Sequence, residues 1–164
     1  INIVASVAGA APVEGWNALA TRGQVLSAFP SACEPLRALL GEPANWLAWS
    51  AADLDPFDGW SSGNAVLVGD AAHATLPHLA QGAAMALEDA VELAAQLGDG
   101  NAIPASLARF EAARKPRTSR VTLGSRAQGS IYKMTGPSAL ARNLVMKLMP
   151  ASRQLERLAW IYDA

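Results

Sequence analysis

An aspartate that directly follows an apolar segment is the first candidate for chemistry. Residues 65–68, Ala-Val-Leu-Val, read as a short buried strand that stops at Gly69 and Asp70. A carboxylate there can accept hydrogen bonds from the hydroxyl groups of a ligand, and a glycine beside it lets the ligand lie against backbone. The alternative is a turn aspartate that satisfies nearby amides, which is the commoner role for an isolated Gly-Asp pair.

The second candidate is the start of a helix. At Gly82 a long pattern rich in Ala and Leu begins, and the amides of Gly82, Ala83 and Ala84 would be unpaired donors at the positive end of the helix dipole. Such a site stabilises a group that becomes negative during turnover. The alternative is an ordinary helix start. In either case the small side chains along the helix suit close packing against a sheet, namely Ala83, Ala86, Ala90 and Ala94.

Two histidines lie between these candidates. His73 follows Asp70 by three residues, and we interpret it as a structural residue folded back against the loop. His78 follows Pro77 at the tip of the loop, where it can reach a bound substrate or simply hydrogen-bond within the loop. The spacing of Asp70, His73 and His78 lacks a His-x3-His pair and a cysteine ligand, so the sequence does not predict a metal site.

The elements that must position these residues are a strand over 65–69, a loop, and a helix over 82–97 that stops at Gly98. In α/β proteins, ligands lie beyond the carboxyl ends of strands and anions at helix N-termini. The strand and the helix are therefore expected to point at one place.

The rest of the chain supplies further elements around this centre. Strands are predicted over 1–8 and 45–50, with Trp46 and Trp49 on opposite sides, and short helices over 24–29 and 35–40. The connection 53–63 is rich in Asp, Pro, Gly and Ser, with Trp60 as its apolar anchor; the main boundary of the chain is expected there.

Three helices are predicted after Gly98. The first begins at Pro104, and Pro116 should bend or divide it because proline removes a backbone donor. The second begins at Gly136-Pro137 and ends at Pro150, and the third is expected to have Ser152 as its N-cap.

Composition excludes several classes of protein. The 164 residues are 51% hydrophobic and 16% charged with a net charge of −1, which indicates a globular domain and argues against nucleic acid or a membrane surface as partner. A single cysteine, Cys33, cannot form an internal disulfide, which suits a cytoplasmic location. The opening residues lack Met and look like a sheet strand, so we expect the chain to be a fragment of something larger.

A longer combination of motifs carries a family resemblance. The segments Gly69-Asp70-Ala71-Ala72-His73, Pro77, Gln81-Gly82 and Glu88-Asp89-Ala90 together resemble the second flavin-binding motif of the FAD-dependent aromatic hydroxylases. The segments 80–85 and 113–117 and the ending 160–164 are similar to the salicylate-hydroxylase branch of that family. The resemblance covers residues 45–164 well and 1–44 loosely.

The resemblance implies a role for individual residues. Asp70 would bind the ribityl chain of FAD, Pro77 would lie beside the isoalloxazine ring, and the amides of Gly82 and Ala83, with Ala84 next to them, would face the flavin pyrimidine oxygen. The family hydroxylates an electron-rich aromatic ring with NADH or NADPH and O2. A base that takes the proton of a substrate hydroxyl would help, and His78 is the catalytic candidate in this chain.

The chain departs from the family in one respect: it contains no G-x-G-x-x-G. The family's N-terminal unit that holds the ADP half of FAD is therefore missing, and the fold class implied is α/β, the C-terminal part of a Rossmann-like flavoprotein monooxygenase. It would comprise a remnant of the substrate-domain sheet (1–60), the returning strand and helices of the FAD domain (61–128) and C-terminal helices (129–164). By itself the chain is expected to be inactive.

Two alternatives stay open. The chain can come from another branch of the flavin monooxygenases, such as an epoxidase or a halogenase, or it can be a non-enzymatic α/β binding module. The sequence does not decide the substrate, the choice of NADH or NADPH, or the oligomeric state.

Overall fold

The computed structural model describes residues 3–7, 15, 18–98 and 100–162. It divides into two compact units, Ile1–Ala51 and Ala52–Ala164. The division lies just before the connection 53–63, where the sequence predicts the main boundary. The predicted boundary between residues 128 and 129 falls inside a helix described below, and the assignment of the three segments to domains stays a prediction.

The first unit is a two-stranded antiparallel sheet with two helices between its strands. Strand β1 (Ala18–Thr21) pairs with β2 (Asn45–Ala48), with Ala18 opposite Ala48 and Thr21 opposite Asn45. Helices α1 (Arg22–Ala28) and α2 (Glu34–Gly41) connect them. A capping box starts α1, because the Gln24 amide donates to Thr21 Oγ1 at 3.2 Å and the Thr21 amide donates to Gln24 Oε1 at 2.7 Å.

The two short helices of this unit are confirmed, whereas its predicted strands need correction. Residues 3–7 of the predicted strand 1–8 form no strand, and its other residues lie outside the described part, as does most of the following turn. The strand predicted over 45–50 ends at Ala48, because its partner β1 is only four residues long. Trp49 therefore lies beyond the strand and is exposed, while Trp46 on the strand is half-buried.

The second unit begins with a hairpin and continues almost entirely as helices. Strands β3 (Ser61–Ser62) and β4 (Ala65–Val66) pair antiparallel. The remaining elements, in chain order, are α3 (Asp70–His73), a 3₁₀ turn (Pro77–Leu79), α4 (Gly82–Gly98), α5 (Ile103–Tyr132), α6 (Gly136–Leu148) and α7 (Ala151–Ala159).

The core of this unit lies where α4 and α5 pack together and the hairpin covers them. Met85 on α4 and Phe110 and Val121 on α5 are completely buried. Trp60 fulfils its predicted role as anchor: it is buried beside Phe110, with ring centroids 6.3 Å apart, and Ala72 completes the cluster. The site described below is built on this pair of helices.

The strand predicted over 65–69 is much shorter than expected. Only Ala65 and Val66 form a ladder, because β3 offers just two residues for pairing. Leu67 and Val68 follow outside the strand and are 40% and 43% exposed, so the segment is not the buried strand that its apolar sequence suggests. The small residues predicted to pack α4 against a sheet are also exposed, namely Ala83, Ala86, Ala90 and Ala94.

Helix α5 runs without interruption through Pro116, so the expected division does not occur. Proline inside a helix costs about 3 kcal/mol. Here the residues on both sides of it are anchored: Phe110 and Arg114 before it, and Thr118 and Val121 after it, are buried. This burial outweighs the lost hydrogen bond, and Pro116 itself lies on the exposed side. The helix begins at Ile103, which makes Pro104 its second residue.

The last two helices match the prediction, except at one cap. Helix α6 begins at Gly136 as predicted. Helix α7 begins at Ala151 directly after Pro150, so Ser152 lies inside the first turn and is not its N-cap. Pro150 is the N-cap residue of α7 and has extended backbone angles, so it separates α6 from α7. No side chain caps the start of α7.

Candidate functional site

The turn that carries Asp70 depends on a glycine conformation. Gly69 has a φ of 56° and a ψ of −138°, backbone angles that residues other than glycine adopt only with strain. This turn starts α3, whose first residue is Asp70, and it leaves the Asp70 side chain exposed at the surface. The sequence therefore places a glycine where the backbone must reverse and an acceptor where the chain reaches solvent.

Asp89 on α4 holds this turn from inside the protein. Its Oδ2 accepts a hydrogen bond from the Gly69 amide at 2.8 Å and contacts His73 Nε2 at 2.6 Å, and its Oδ1 accepts from Arg114 Nε at 2.8 Å. Burial opposes ionisation of Asp89, but the hydrogen bonds from His73, Arg114 and Gly69 outweigh it and lower its pKa to about 2. The carboxylate is therefore ionised at neutral pH, and His73 is the structural residue that the sequence suggests.

The neighbouring Glu88 forms a second link between α4 and α5. Arg117 binds both of its oxygens at 2.7 Å, and Arg114 Nη2 donates to Oε2 at 2.7 Å. The hydrogen bond from Arg117 lowers the pKa of Glu88, against a smaller opposing effect of burial. Arg117 also donates to the Ile161 carbonyl at 2.9 Å, which ties the end of the chain to the same network. The acidic pair and the arginines around Pro116 thus act together as cross-links.

A cavity of about 610 Å³ opens between the Asp70 turn and the start of α4. It is lined by Asp70, Thr75, Leu76, Pro77, Ala80, Gly82, Ala83 and Ala86. Helix α4 begins at Gly82 as predicted, and a Cβ at Gly82 would stand 4.0 Å from Asp70 Oδ1. The cavity therefore combines one carboxylate acceptor, the donor end of a long helix and an apolar rim. That combination suits a ligand with hydroxyl groups on one part and a flat, polar-edged ring on another.

Four of the five predicted cofactor residues line this cavity: Asp70, Pro77, Gly82 and Ala83. Ala84 does not line it; it is the third residue of α4 and is half-buried. Asp89 and Arg114 were given no role from the sequence, although Asp89 binds the turn and Arg114 binds Asp89. The available signal was an acidic pair inside an Ala- and Leu-rich helix, since buried charge requires a partner elsewhere in the chain.

His78 is not among the residues that line the cavity. Its ring lies against α5, with its centroid 5.7 Å from that of Tyr132 in an edge-on arrangement. The contact with Gly129 is so close that a Cβ there would stand 2.5 Å from His78 Cδ2. Pro77 of the 3₁₀ turn thus lines the cavity, whereas the imidazole of His78 packs against the neighbouring helix α5.

The described residues contain neither a metal-binding cluster nor a membrane-spanning helix. Among them, no three His, Cys, Asp or Glu side chains gather in a way that would hold a metal ion. No helix in the described ranges is both long and apolar enough to cross a membrane.

Comparison with known proteins shows the family to which the chain belongs. The family described as "FAD binding domain" matches residues 3–125. The chain is 35% identical over 162 residues to 3-hydroxybenzoate 6-hydroxylase of Polaromonas naphthalenivorans, covering 98% of this chain and 40% of that protein. Among solved structures it resembles a salicylate hydroxylase substrate complex, with a TM-score of 0.76 and 32% identity over 93% of this chain and 37% of the other.

A third similar protein was solved with FAD bound. Klebsiella pneumoniae HpxO, solved in complex with FAD and uric acid, has a TM-score of 0.72 and 25% identity, covering 84% of this chain and 36% of that one. The fold class is therefore the predicted one, α/β, and it matches that of FAD-binding flavoprotein monooxygenases. The chain belongs to the FAD-binding domain family. It spans between 36% and 45% of the length of four of the 3-hydroxybenzoate 6-hydroxylases that it matches.

Proposed function

We propose that the whole protein is an FAD-dependent monooxygenase that hydroxylates a small phenolic or salicylate-like aromatic substrate with NADH or NADPH and O2. This chain would supply one wall of the flavin site. The observation that carries the proposal is the convergence of Asp70, Pro77, Gly82 and Ala83 on one cavity. Those four residues are separated by up to 13 positions in the sequence, and the family resemblance assigns all of them to the flavin.

The residues present fit the parts of FAD assigned to them. The exposed Asp70 carboxylate is an acceptor for ribityl hydroxyls, and Pro77 offers an apolar surface for a ring. The first amides of α4, from Gly82, Ala83 and Ala84, supply donors and a positive dipole end for the polar edge of the isoalloxazine. FAD, when bound, supplies the redox chemistry with O2. The chain's own contribution is to hold the hydroxyls, to cover one ring face and to stabilise negative charge at the helix start.

The aromatic substrate class comes from the relatives. They are named for 3-hydroxybenzoate and salicylate, which both carry a phenolic hydroxyl and a carboxylate on one ring. We propose His78 as the base that takes the phenolic proton. It is part of the same 3₁₀ turn as the cavity residue Pro77, and its ring, which packs against Gly129 and Tyr132, would have to turn towards the substrate. We also assign the protein to the cytoplasm, in agreement with its single cysteine.

The proposal is tested with the whole protein, purified and examined for bound flavin. We expect a flavin absorption spectrum, and NADH or NADPH oxidation that accelerates when 3-hydroxybenzoate or salicylate is added. Benzoate, which lacks the hydroxyl, is the matched control and should give no hydroxylated product. A protein that binds no flavin would refute the proposal. Bound flavin with a product that is epoxidised or halogenated would move the protein to another branch of the monooxygenases.

A further inference from the structure

We infer that Asp89, together with His73, is a positioning residue for the flavin contact at Asp70. The inference rests on the proposed function, because it concerns how the same site is held. Asp89 is completely buried and does not line the cavity. Its effect on a ligand must therefore pass through the turn that it binds.

Asp89 binds the chain on both sides of Asp70, through Gly69 and His73, and we call this arrangement the clamp. A single oxygen, Asp89 Oδ2, contacts the Gly69 amide at 2.8 Å and His73 Nε2 at 2.6 Å, one residue before Asp70 and three after it. Because an ionised carboxylate only accepts hydrogen bonds, His73 Nε2 carries the proton of this contact. The other oxygen is fixed by Arg114 Nε at 2.8 Å, so α5 determines where the carboxylate lies.

The turn needs such a clamp because it has little stability of its own. Helix α3 is four residues long, its N-cap residue is Gly69 with positive φ, and no side chain caps it. One helical turn is not stable by itself. Asp70 is exposed, so it is the bonds to Gly69 and His73 that hold the backbone on either side of it.

The consequence is a preorganised acceptor. With the turn clamped, Asp70 Oδ1 lies 4.0 Å from the position of a Cβ at Gly82, so the acceptor and the helix start face the same ligand. Binding then avoids the cost of ordering a loose turn. Loss of the clamp should weaken flavin binding even though every flavin contact is still present in the sequence.

The test is a double-mutant cycle in the whole protein, with FAD affinity measured by quenching of flavin fluorescence. Asp89→Asn should raise the Kd for FAD about tenfold or more. In an Asp70→Ala background the same substitution should change the Kd by less than about twofold, because the residue through which it acts is gone. His73→Leu removes one anchor and leaves the Arg114 pair intact, so it gives a second variant if Asp89→Asn does not fold.

Glu111→Gln is the matched control. Glu111 is also a helix carboxylate that clamps a loop, accepting from the Gly59 and Trp60 amides at 2.8 and 2.9 Å, but neither residue lines the cavity. It should lower the melting temperature of the FAD-free protein without changing the Kd. The inference is overturned if Asp89→Asn and His73→Leu leave the Kd unchanged, or if they raise it equally with and without Asp70. A wild-type protein that binds no FAD would refute the proposed function as well, which distinguishes the two failures.

Discussion

At the scale of single residues, Asp70 is the side chain on which cofactor binding should depend most. We predict that Asp70→Ala in the whole protein weakens FAD binding by about 1–3 kcal/mol, or roughly 5- to 150-fold in Kd, because ribityl hydroxyls lose their acceptor. The measurement is a fluorescence titration of the apoprotein with FAD. Asp58→Ala is the control, since Asp58 is exposed, pairs with Lys115 and does not line the cavity. Equal affinity in both variants would contradict the role of Asp70.

His78 gives a prediction about the chemical step and not about the cofactor. If it is the base, His78→Ala should lower the amount of hydroxylated product formed per NADH or NADPH consumed, while FAD occupancy stays at the wild-type level. Its ring packs against Gly129 and Tyr132, so His78→Gln is included to retain most of that packing. Unchanged coupling in His78→Ala would show that the residue only anchors the 3₁₀ turn to α5.

The site residues differ in whether a short stretch of sequence around them indicates their place in the site. Asp70 and Gly82 were candidates from the sequence because one follows an apolar segment and the other begins a helical pattern, and the family resemblance gave them their predicted roles. Asp89 and Arg114 are 25 residues apart on different helices, and no local pattern pairs them. The position of the His78 ring was equally hidden, since it depends on the absence of a side chain at Gly129.

At the scale of elements, the longer helices were predicted more accurately than the strands. Helix α4 begins at the predicted residue because its start and stop signals, Gly82 and Gly98, are local. Strand β4 stops after two residues, since a strand exists only where a partner pairs with it and β3 is equally short. Pro116 fails to divide α5 for the same kind of reason, because buried contacts on both sides decide the outcome.

The clamp between α4 and the Asp70 turn should make stability depend on acid pH. The pKa of Asp89 is lowered from 3.8 to about 2, so its stabilising effect is complete above about pH 4 and is lost as the pH falls towards 2. We predict a loss of about 2 kcal/mol of unfolding free energy over that interval. Denaturant unfolding at several pH values measures it. Asp89→Asn should be less stable at neutral pH and should lack this part of the acid dependence; a parallel decline in both proteins would contradict the assignment.

At the scale of the whole molecule, residues 1–164 alone should bind FAD weakly or not at all and should show no hydroxylase activity. The chain provides the ribityl contact and the helix start, but its sequence has no glycine-rich turn to hold the pyrophosphate. Leu87 and Val91 on α4 are 70% and 73% exposed, which favours self-association. Flavin fluorescence together with analytical ultracentrifugation measures both properties. Stoichiometric, micromolar FAD binding by a monomer would show that this part of the protein is sufficient for the cofactor.

The central claim is that the whole protein uses FAD to insert an oxygen atom from O2 into a phenolic ring. Its most direct test is a turnover of the purified holoprotein with NADH or NADPH, 3-hydroxybenzoate or salicylate, and isotopically labelled O2, with the product analysed by mass spectrometry. The account predicts a hydroxylated aromatic product that carries one labelled oxygen atom, and its loss when FAD is removed. A product whose new oxygen comes from water, or turnover that continues without FAD, would contradict it.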